Sequence, residues 1–189
     1  LQYGPLSTLL LLMNNETFEL FFSMLSVALL AGTLVVLAAR LLHSRSSSAR
    51  TIVSAFAPWA LPLAAAVTTT CALGSLYFSE IVNYKPCIMC WYQRTMMYPL
   101  AVILIVAALT KDKKIWRYAT PLAAIGIVFS TYHWFLERFP NLDAGVCDVE
   151  VPCEFVWFEN FGFVTLPFMA LTGFLAVLVF TTLPNTQKE

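Results

Sequence analysis

Charge is what this sequence has least of. Asp, Glu, Lys and Arg make up 12% of the 189 residues, whereas hydrophobic residues make up 59%. A soluble domain carries roughly 25% charged residues, so this chain lacks the polar surface to meet water on all sides. Its mean hydropathy is +0.75. Strict apolar–polar alternation is also missing, which excludes a transmembrane barrel. No basic stretch precedes the short apolar run Leu9–Met13, which excludes an ordinary signal peptide there. What remains is a helical membrane protein, because in lipid only helices and closed barrels satisfy every backbone polar group.

Five apolar stretches are long enough to cross a hydrocarbon core that needs about 20 residues per helix. They run roughly over 18–42, 52–81, 91–109, 116–136 and 164–183. The second holds Pro58 and Pro62 near its start, so it either tilts or leaves its first residues partly outside the lipid. The expected fold is an all-α membrane protein: a four-helix transmembrane bundle over 52–183 with one additional N-terminal transmembrane helix over 18–43. A basic inner loop, 44–51, joins them, and 184–189 form a C-terminal tail. Residues 1–17 read as a separate N-terminal segment. Residue 1 is not Met and Met13-Asn14-Asn15 would make an ordinary start, so 1–12 read as not native in part.

The formal net charge is zero, but the charges are not evenly placed. With the N-terminus outside and the C-terminus inside, the inner segments hold Arg40, Arg45, Arg50, Lys111, Lys113, Lys114, Arg117 and Lys188. The outer side holds Lys85, Arg94 and Arg138. Eight basic residues against three favour this orientation by the positive-inside rule. Cys87, Cys90, Cys147 and Cys153 then all lie on the outer face, where disulfides persist. Cys71, deep in the second span, reads as a small packing residue.

Cys87-Ile88-Met89-Cys90 follows Pro86 and opens the third span. The spacing suits a redox site or half of a zinc site, and Trp91 in place of His excludes the usual haem attachment. A helix start favours thiolate over thiol through its free N–H groups and dipole, and thiolate is the species that exchanges disulfides. Arg94 begins one turn deeper on the face of Cys90. It reads either as a snorkelling anchor or as a cation for an anion nearby, the Cys90 thiolate or a reduced carrier. Cys147 and Cys153 form a second pair in the outer loop before the fifth span. Phe155, Phe158 and Phe161 recur after them at helical spacing, which predicts a short helix along the membrane surface.

The run Cys87-Ile-Met-Cys90-Trp-Tyr-Gln-Arg94, the segments Tyr132-His133 and Leu136-Glu137, the second cysteine pair, and Phe161-Gly-Phe-Val-Thr-Leu-Pro167 together resemble the DsbB family of disulfide bond formation proteins. The likeness is to the short-loop members often called BdbC and covers roughly residues 55–183. It implies a four-helix bundle in the bacterial cytoplasmic membrane that oxidises a soluble, DsbA-like thioredoxin-fold partner. It also implies a quinone, ubiquinone or menaquinone, as electron acceptor, with lipid and no nucleic acid among the partners. By motif, Cys87 and Cys90 form the membrane-proximal disulfide, Cys90 contacts the quinone, and Arg94 and His133 sit beside it. By order, Cys147 takes the mixed disulfide with the partner and Cys153 exchanges with Cys87. Two rivals remain. A vitamin K epoxide reductase-like protein carries its loop pair before the C-x-x-C rather than after it. A membrane protein could instead hold a metal ion on four cysteine thiolates.

Overall fold

The structure is a computed structural model that describes residues 5–183 apart from 113, 144, 148 and 149, with side chains described from residue 15 onward. The predicted tail 184–189, with Lys188, and the inner residue Lys113 lie outside the described residues. Helix α1 runs Pro5–Leu41 and α2 runs Ser47–Phe56. After a 3₁₀ turn at Ala57–Trp59, α3 runs Ala60–Leu76 and continues as a π-helical turn, Tyr77–Ile81. Helices α4, Ile88–Thr110, and α5, Trp116–Leu136, form a pair, and α6, Leu166–Thr182, closes the bundle. The fold is the expected all-α membrane bundle.

Among the described residues, four helical runs have the length and apolarity of membrane spans: Asn15–Leu41, Ser47–Ile81, Ile88–Thr110 and Trp116–Leu136. The fifth, α6, has 17 residues and no charged side chain, and it rises about 26 Å, near the lower limit for a crossing. It is also the most enclosed helix. Phe174, Ala176 and Val177 are fully buried, because α6 packs against α1, α3 and α5 together. The large apolar side chains left exposed, such as Leu34, Val102 and Leu109, form the lipid-facing surface.

Two local features depart from the sequence reading. The first helix does not begin near Phe18 but extends back to Pro5. A proline is tolerated at a first helical position, and an existing helix lengthens at one hydrogen bond per residue without a new nucleation step. Second, no helix forms over 155–163. Phe161 and Gly162 both take positive φ, 56° and 74°, and Asn160 and Val164 exchange backbone hydrogen bonds of 2.9 Å across the turn. Left-handed residues stop a right-handed helix there. The aromatics pin the loop in another way. Trp157 stacks on Tyr84 with ring centroids 4.5 Å apart, and Phe158 lies against Phe78 at 5.6 Å.

The prolines of the second span sit at a 3₁₀ turn. Pro58 lacks an N–H and sits in the 3₁₀ turn between α2 and α3, whereas Pro62 falls in the first turn of α3, where its missing donor costs nothing. Helix α1 packs through a stripe of mostly small residues, Ser23, Ser26, Thr33, Val36 and Ala39, all buried, the side-chain sizes that let membrane helices approach closely. On α5, a Cβ added at Gly126 would overlap the Phe174 ring of α6. Gly126→Ala is therefore expected to cost about 1–3 kcal/mol of bundle stability by overpacking. Denaturant unfolding in detergent checks this, and Gly32→Ala, with open space around its position, is the neutral control.

Candidate functional site

The site is built at the start of α4. Cys87 is its N-cap, with extended backbone (φ −73°, ψ 173°), and its sulfur accepts the backbone N–H of Cys90 at 3.4 Å. The side chain thus occupies the place where Ser, Asp or Asn normally satisfies a free N–H of the first turn. The Cys90 Sγ lies 3.1 Å away and the His133 Nε2 3.5 Å away. With a backbone N–H and an imidazole facing it, the Cys87 sulfur is the hydrogen-bond acceptor of the group and Cys90 the thiol donor. The hydrogen bond from Cys90 holds the Cys87 thiol below its ordinary 9.0; burial opposes this, and His133 adds to the lowering.

His133 comes from the last turn of α5 and is buried. Its Nε2 lies 3.1 Å from the carbonyl oxygen of Cys153, which can only accept, so Nε2 carries the proton. Nδ1 then accepts from the Gln93 amide at 3.2 Å. One imidazole N–H therefore faces both the Cys87 sulfur and the Cys153 backbone. It joins the Cys87 and Cys153 segments, far apart in sequence, in one network.

Cys147 and Cys153 are joined by a disulfide, and Cys87 and Cys90 are free. Cys153 is buried at 1% exposure while Cys147 is half-buried. Both pairs share one small apolar cluster around Leu136 and Met89. Glu137, next along from Leu136, has a buried side chain that accepts from Thr165 Oγ1 at 2.6 Å and lies 3.8 Å from Arg138. Burial raises its carboxyl to about 7, against the pull of Thr165, His133 and Arg138.

Arg94 does not bond a sulfur. Its Nε donates to Ser75 Oγ at 2.9 Å and its Nη2 to the Ser75 carbonyl at 3.1 Å, and the guanidinium lies over the Trp91 ring at 5.2 Å. Two of its five N–H donors are thereby used. Arg94, Gln93, Ser75 and Cys90 line one cavity of about 270 Å³, and Cys71 lies deeper along it. Among the described residues the one grouping with metal-ligand spacing is Cys87, Cys90 and His133, whose ligand atoms lie within 4.8 Å of one another. The four-thiolate site does not assemble, because Cys147 and Cys153 are bonded to each other.

All six expected site residues thus meet in one region. Cys87, Cys90, Cys147 and Cys153 share the cluster, His133 contacts Cys87 and the Cys153 carbonyl, and Arg94 joins Cys90 at the cavity. The sequence reading missed Gln93 and Ser75. Gln93 stood in view as a polar residue on the Met89–Met97 stripe of a span, buried on the helix face that points inward. Ser75, on a different helix, gave no such signal.

The sequence profile of the disulfide bond formation protein DsbB matches residues 57–183. The chain belongs to the DsbB family. Among its relatives, disulfide bond formation protein C of Bacillus subtilis is 40% identical over 140 residues, 73% of this chain and 96% of that protein. A probable disulfide formation protein C 1 of Bacillus cereus is 45% identical over 108 residues, 57% of this chain and 78% of that protein. A probable disulfide formation protein C of Halalkalibacterium halodurans is 44% identical over 120 residues, 63% and 88% of the two chains. No solved structure matches the chain. DsbB membership implies disulfide oxidoreductase activity and decides against the vitamin K epoxide reductase-like alternative.

In the form with Cys87 and Cys90 reduced, the thiolate absorbance near 240 nm should titrate with a midpoint below 9.0. Cys90→Ala, which removes the largest source of the shift, should move the midpoint up most, and His133→Ala by less. A midpoint unmoved by either substitution would show that neither neighbour holds the charge.

Proposed function

We propose that this protein oxidises a soluble thioredoxin-fold partner on the outer face of a bacterial cytoplasmic membrane and delivers the electrons to a membrane quinone. The observation that carries the reading is the single N–H of His133, 3.5 Å from the Cys87 sulfur and 3.1 Å from the Cys153 carbonyl. It draws the loop disulfide and the helix-capping cysteine together beside a cavity that Cys90 lines. The orientation rests on the basic residues, eight inside against three outside.

Differences in exposure order the exchanges. A partner thiolate attacks the more accessible sulfur, Cys147, and the Cys147–Cys153 bond breaks with Cys153 leaving as thiolate. Buried beside Cys87, Cys153 attacks the Cys87–Cys90 disulfide at Cys87, and Cys90 leaves as thiolate. The partner's second thiolate displaces Cys147 and departs as the oxidised disulfide. Cys147 then attacks Cys153, restores the loop disulfide and releases the Cys87 thiolate, which the α4 N-terminus and His133 receive. Two electrons have moved from the partner to Cys87 and Cys90, and the partner's two thiol protons are free to follow. The loop disulfide with free Cys87 and Cys90 corresponds to this point of the cycle.

The residues at the cavity suit a quinone. A flat ring with two carbonyl acceptors needs donors at one end and apolar walls elsewhere, and Arg94, Gln93 and Ser75 stand at the Cys90 end of an otherwise largely apolar cavity. Bound there, a quinone supplies an acceptor for two electrons and two protons. Arg94, fixed by Ser75, has three N–H donors left to orient a carbonyl and to stabilise negative charge. Cys90 closes the Cys87–Cys90 disulfide as the electrons leave.

A second reading is a thiophilic metal ion on Cys87, Cys90 and His133, which the 4.8 Å grouping favours. It requires the Nε2 proton of His133 to leave the Cys153 carbonyl, or the ring to turn. Metal analysis of the purified reduced protein distinguishes the two: one tightly held equivalent per chain supports the metal reading.

Anaerobic reaction of reduced partner with purified protein and added quinone tests the proposal. Quinone absorbance should fall one equivalent per partner disulfide formed, and Cys90→Ser should bring this to the uncatalysed background. Arg94→Met should weaken quinone affinity about 10- to 100-fold, the scale of a lost hydrogen bond to a charged group. A partner lacking its second cysteine, given to the unaltered chain, should be trapped as a mixed disulfide on Cys147, because no thiolate is left to release it. Trapping on Cys153 with equal yield would overturn the order of exchange.

A further inference from the structure

The cavity beside Cys90 has a wall that lies outside the family-matched region. Residues 57–183 carry the DsbB match, yet Phe22, Leu25, Ser26 and Leu29 of α1 line the same cavity as Cys90 and Arg94. These four positions follow i, i+3, i+4 and i+7, one helix face, and span about 10 Å along α1. Opposite them, the lining on α3 and its π-helical continuation extends from Ala66 through Ser75 to Ser79, about 20 Å. The cavity is therefore a slot between α1 and α3, backed by α4 and α6, with Arg94, Gln93 and Ser75 at its outer end and mainly apolar walls below.

Helix α1 is also fastened where the slot reaches the redox loops. Tyr84, three residues before Cys87, donates its hydroxyl to the Glu19 carboxylate. Asn160, in the turn after Cys153, donates through Nδ2 to Ser23 Oγ at 2.9 Å. Tyr84 and Trp157 stack on each other between these two anchors. In an apolar helix, Glu19 and Ser23 are thus spent on the two cysteine-bearing segments. Lower down, Phe22 lies against Gly74 of α3, where an added Cβ would come within 3.2 Å of its ring.

We propose that α1 is a built-in side wall of the acceptor site, so that the protein takes a quinone bearing a hydrocarbon tail, with the ring at Arg94 and Cys90 and the tail along Phe22, Leu25, Ser26 and Leu29. This deepens the quinone reading and rests on it. The wall narrows lateral access from the lipid, and its side chains set which ring substituents and tails fit. Glu19 and Ser23 hold the wall in register with the cysteines.

Photoaffinity labelling of the purified full chain with an azido-substituted decylquinone tests the wall without reference to turnover. Label is expected on peptides of both α4 and residues 22–29. Direct binding of decylubiquinone and a menaquinone analogue, measured by equilibrium dialysis in detergent, is the second readout. Ser26→Phe, which fills the slot, should weaken binding about 10-fold or more, whereas Leu34→Phe on the lipid face of α1 should leave it unchanged. Label confined to α4, or Ser26→Phe binding within two-fold of the unaltered chain, overturns the wall but leaves the quinone reading standing if Arg94→Met still loses affinity. No saturable binding by the unaltered chain would overturn both.

Discussion

The Cys87 sulfur stands where a helix start ordinarily keeps a hydroxyl or carboxylate oxygen, and the chemistry of the site depends on that position. The first turn of α4 offers N–H groups with no partner in the helix. A thiolate at the N-cap meets one of them, Cys90 N–H, together with the positive end of the helix dipole. An oxygen there would serve the helix equally well but could not form a disulfide. The cap therefore ties local stability to redox state: the reduced sulfur is a better acceptor than a disulfide sulfur, so reduction strengthens the helix start that oxidation leaves less well satisfied.

Such a cap is useful only if a second sulfur can reach it, and this depends on the register of α5 against α4. His133 is in the last turn of α5, and its ring must lie between Gln93 and Cys153 for one N–H to face both the sulfur and the carbonyl. Two packing features hold α5 in place against α6 and the loop before it. Gly126 lets the Phe174 ring of α6 press directly against the α5 backbone. At the outer end, the buried Glu137 takes the Thr165 hydroxyl while Arg138 reaches Glu159 at 3.0 Å and lies over Trp134. Polar contacts at the rim and close apolar packing below set the same alignment, so the imidazole has little room to drift.

The spans were legible because a helix crossing lipid has little freedom in composition: about 20 mostly apolar residues are needed whatever packs around it. The cysteines were legible for a related reason. Sulfur pairs on the outer side of a membrane, one of them at a helix start, have few uses. What was not legible depends on backbone conformation or on contacts between distant helices. Phe155, Phe158 and Phe161 have helical spacing, but Phe161 and Gly162 turn left-handed, a choice made by the 160–164 turn rather than by the aromatic pattern. Ser75 matters because α3 brings it to Arg94, and nothing in the residues around it says so. Helix α1 was read as a separate addition because no motif includes it, whereas in space its Ser23 and Glu19 reach both redox loops.

If the proposed route from a soluble partner to an acceptor in the apolar slot holds, two cysteine pairs rather than one follow from where the electrons start and finish. A sulfur exposed enough to meet a soluble partner is too wet to sit in an apolar slot, and a sulfur lining that slot is too deep for the partner's active site. One pair cannot meet both demands. Here Cys147 is half-buried at the loop and Cys90 lines the cavity, with Cys153 and Cys87 both buried between them. Burial of the inner two has a kinetic consequence. Disulfide exchange goes to whichever thiolate reaches the sulfur first, so excluding water and foreign thiols from Cys153 and Cys87 leaves each with the other as its nearest reactant. On the proposed reading, the gradient of burial from Cys147 inward orders the exchanges without requiring a large difference in potential between the pairs.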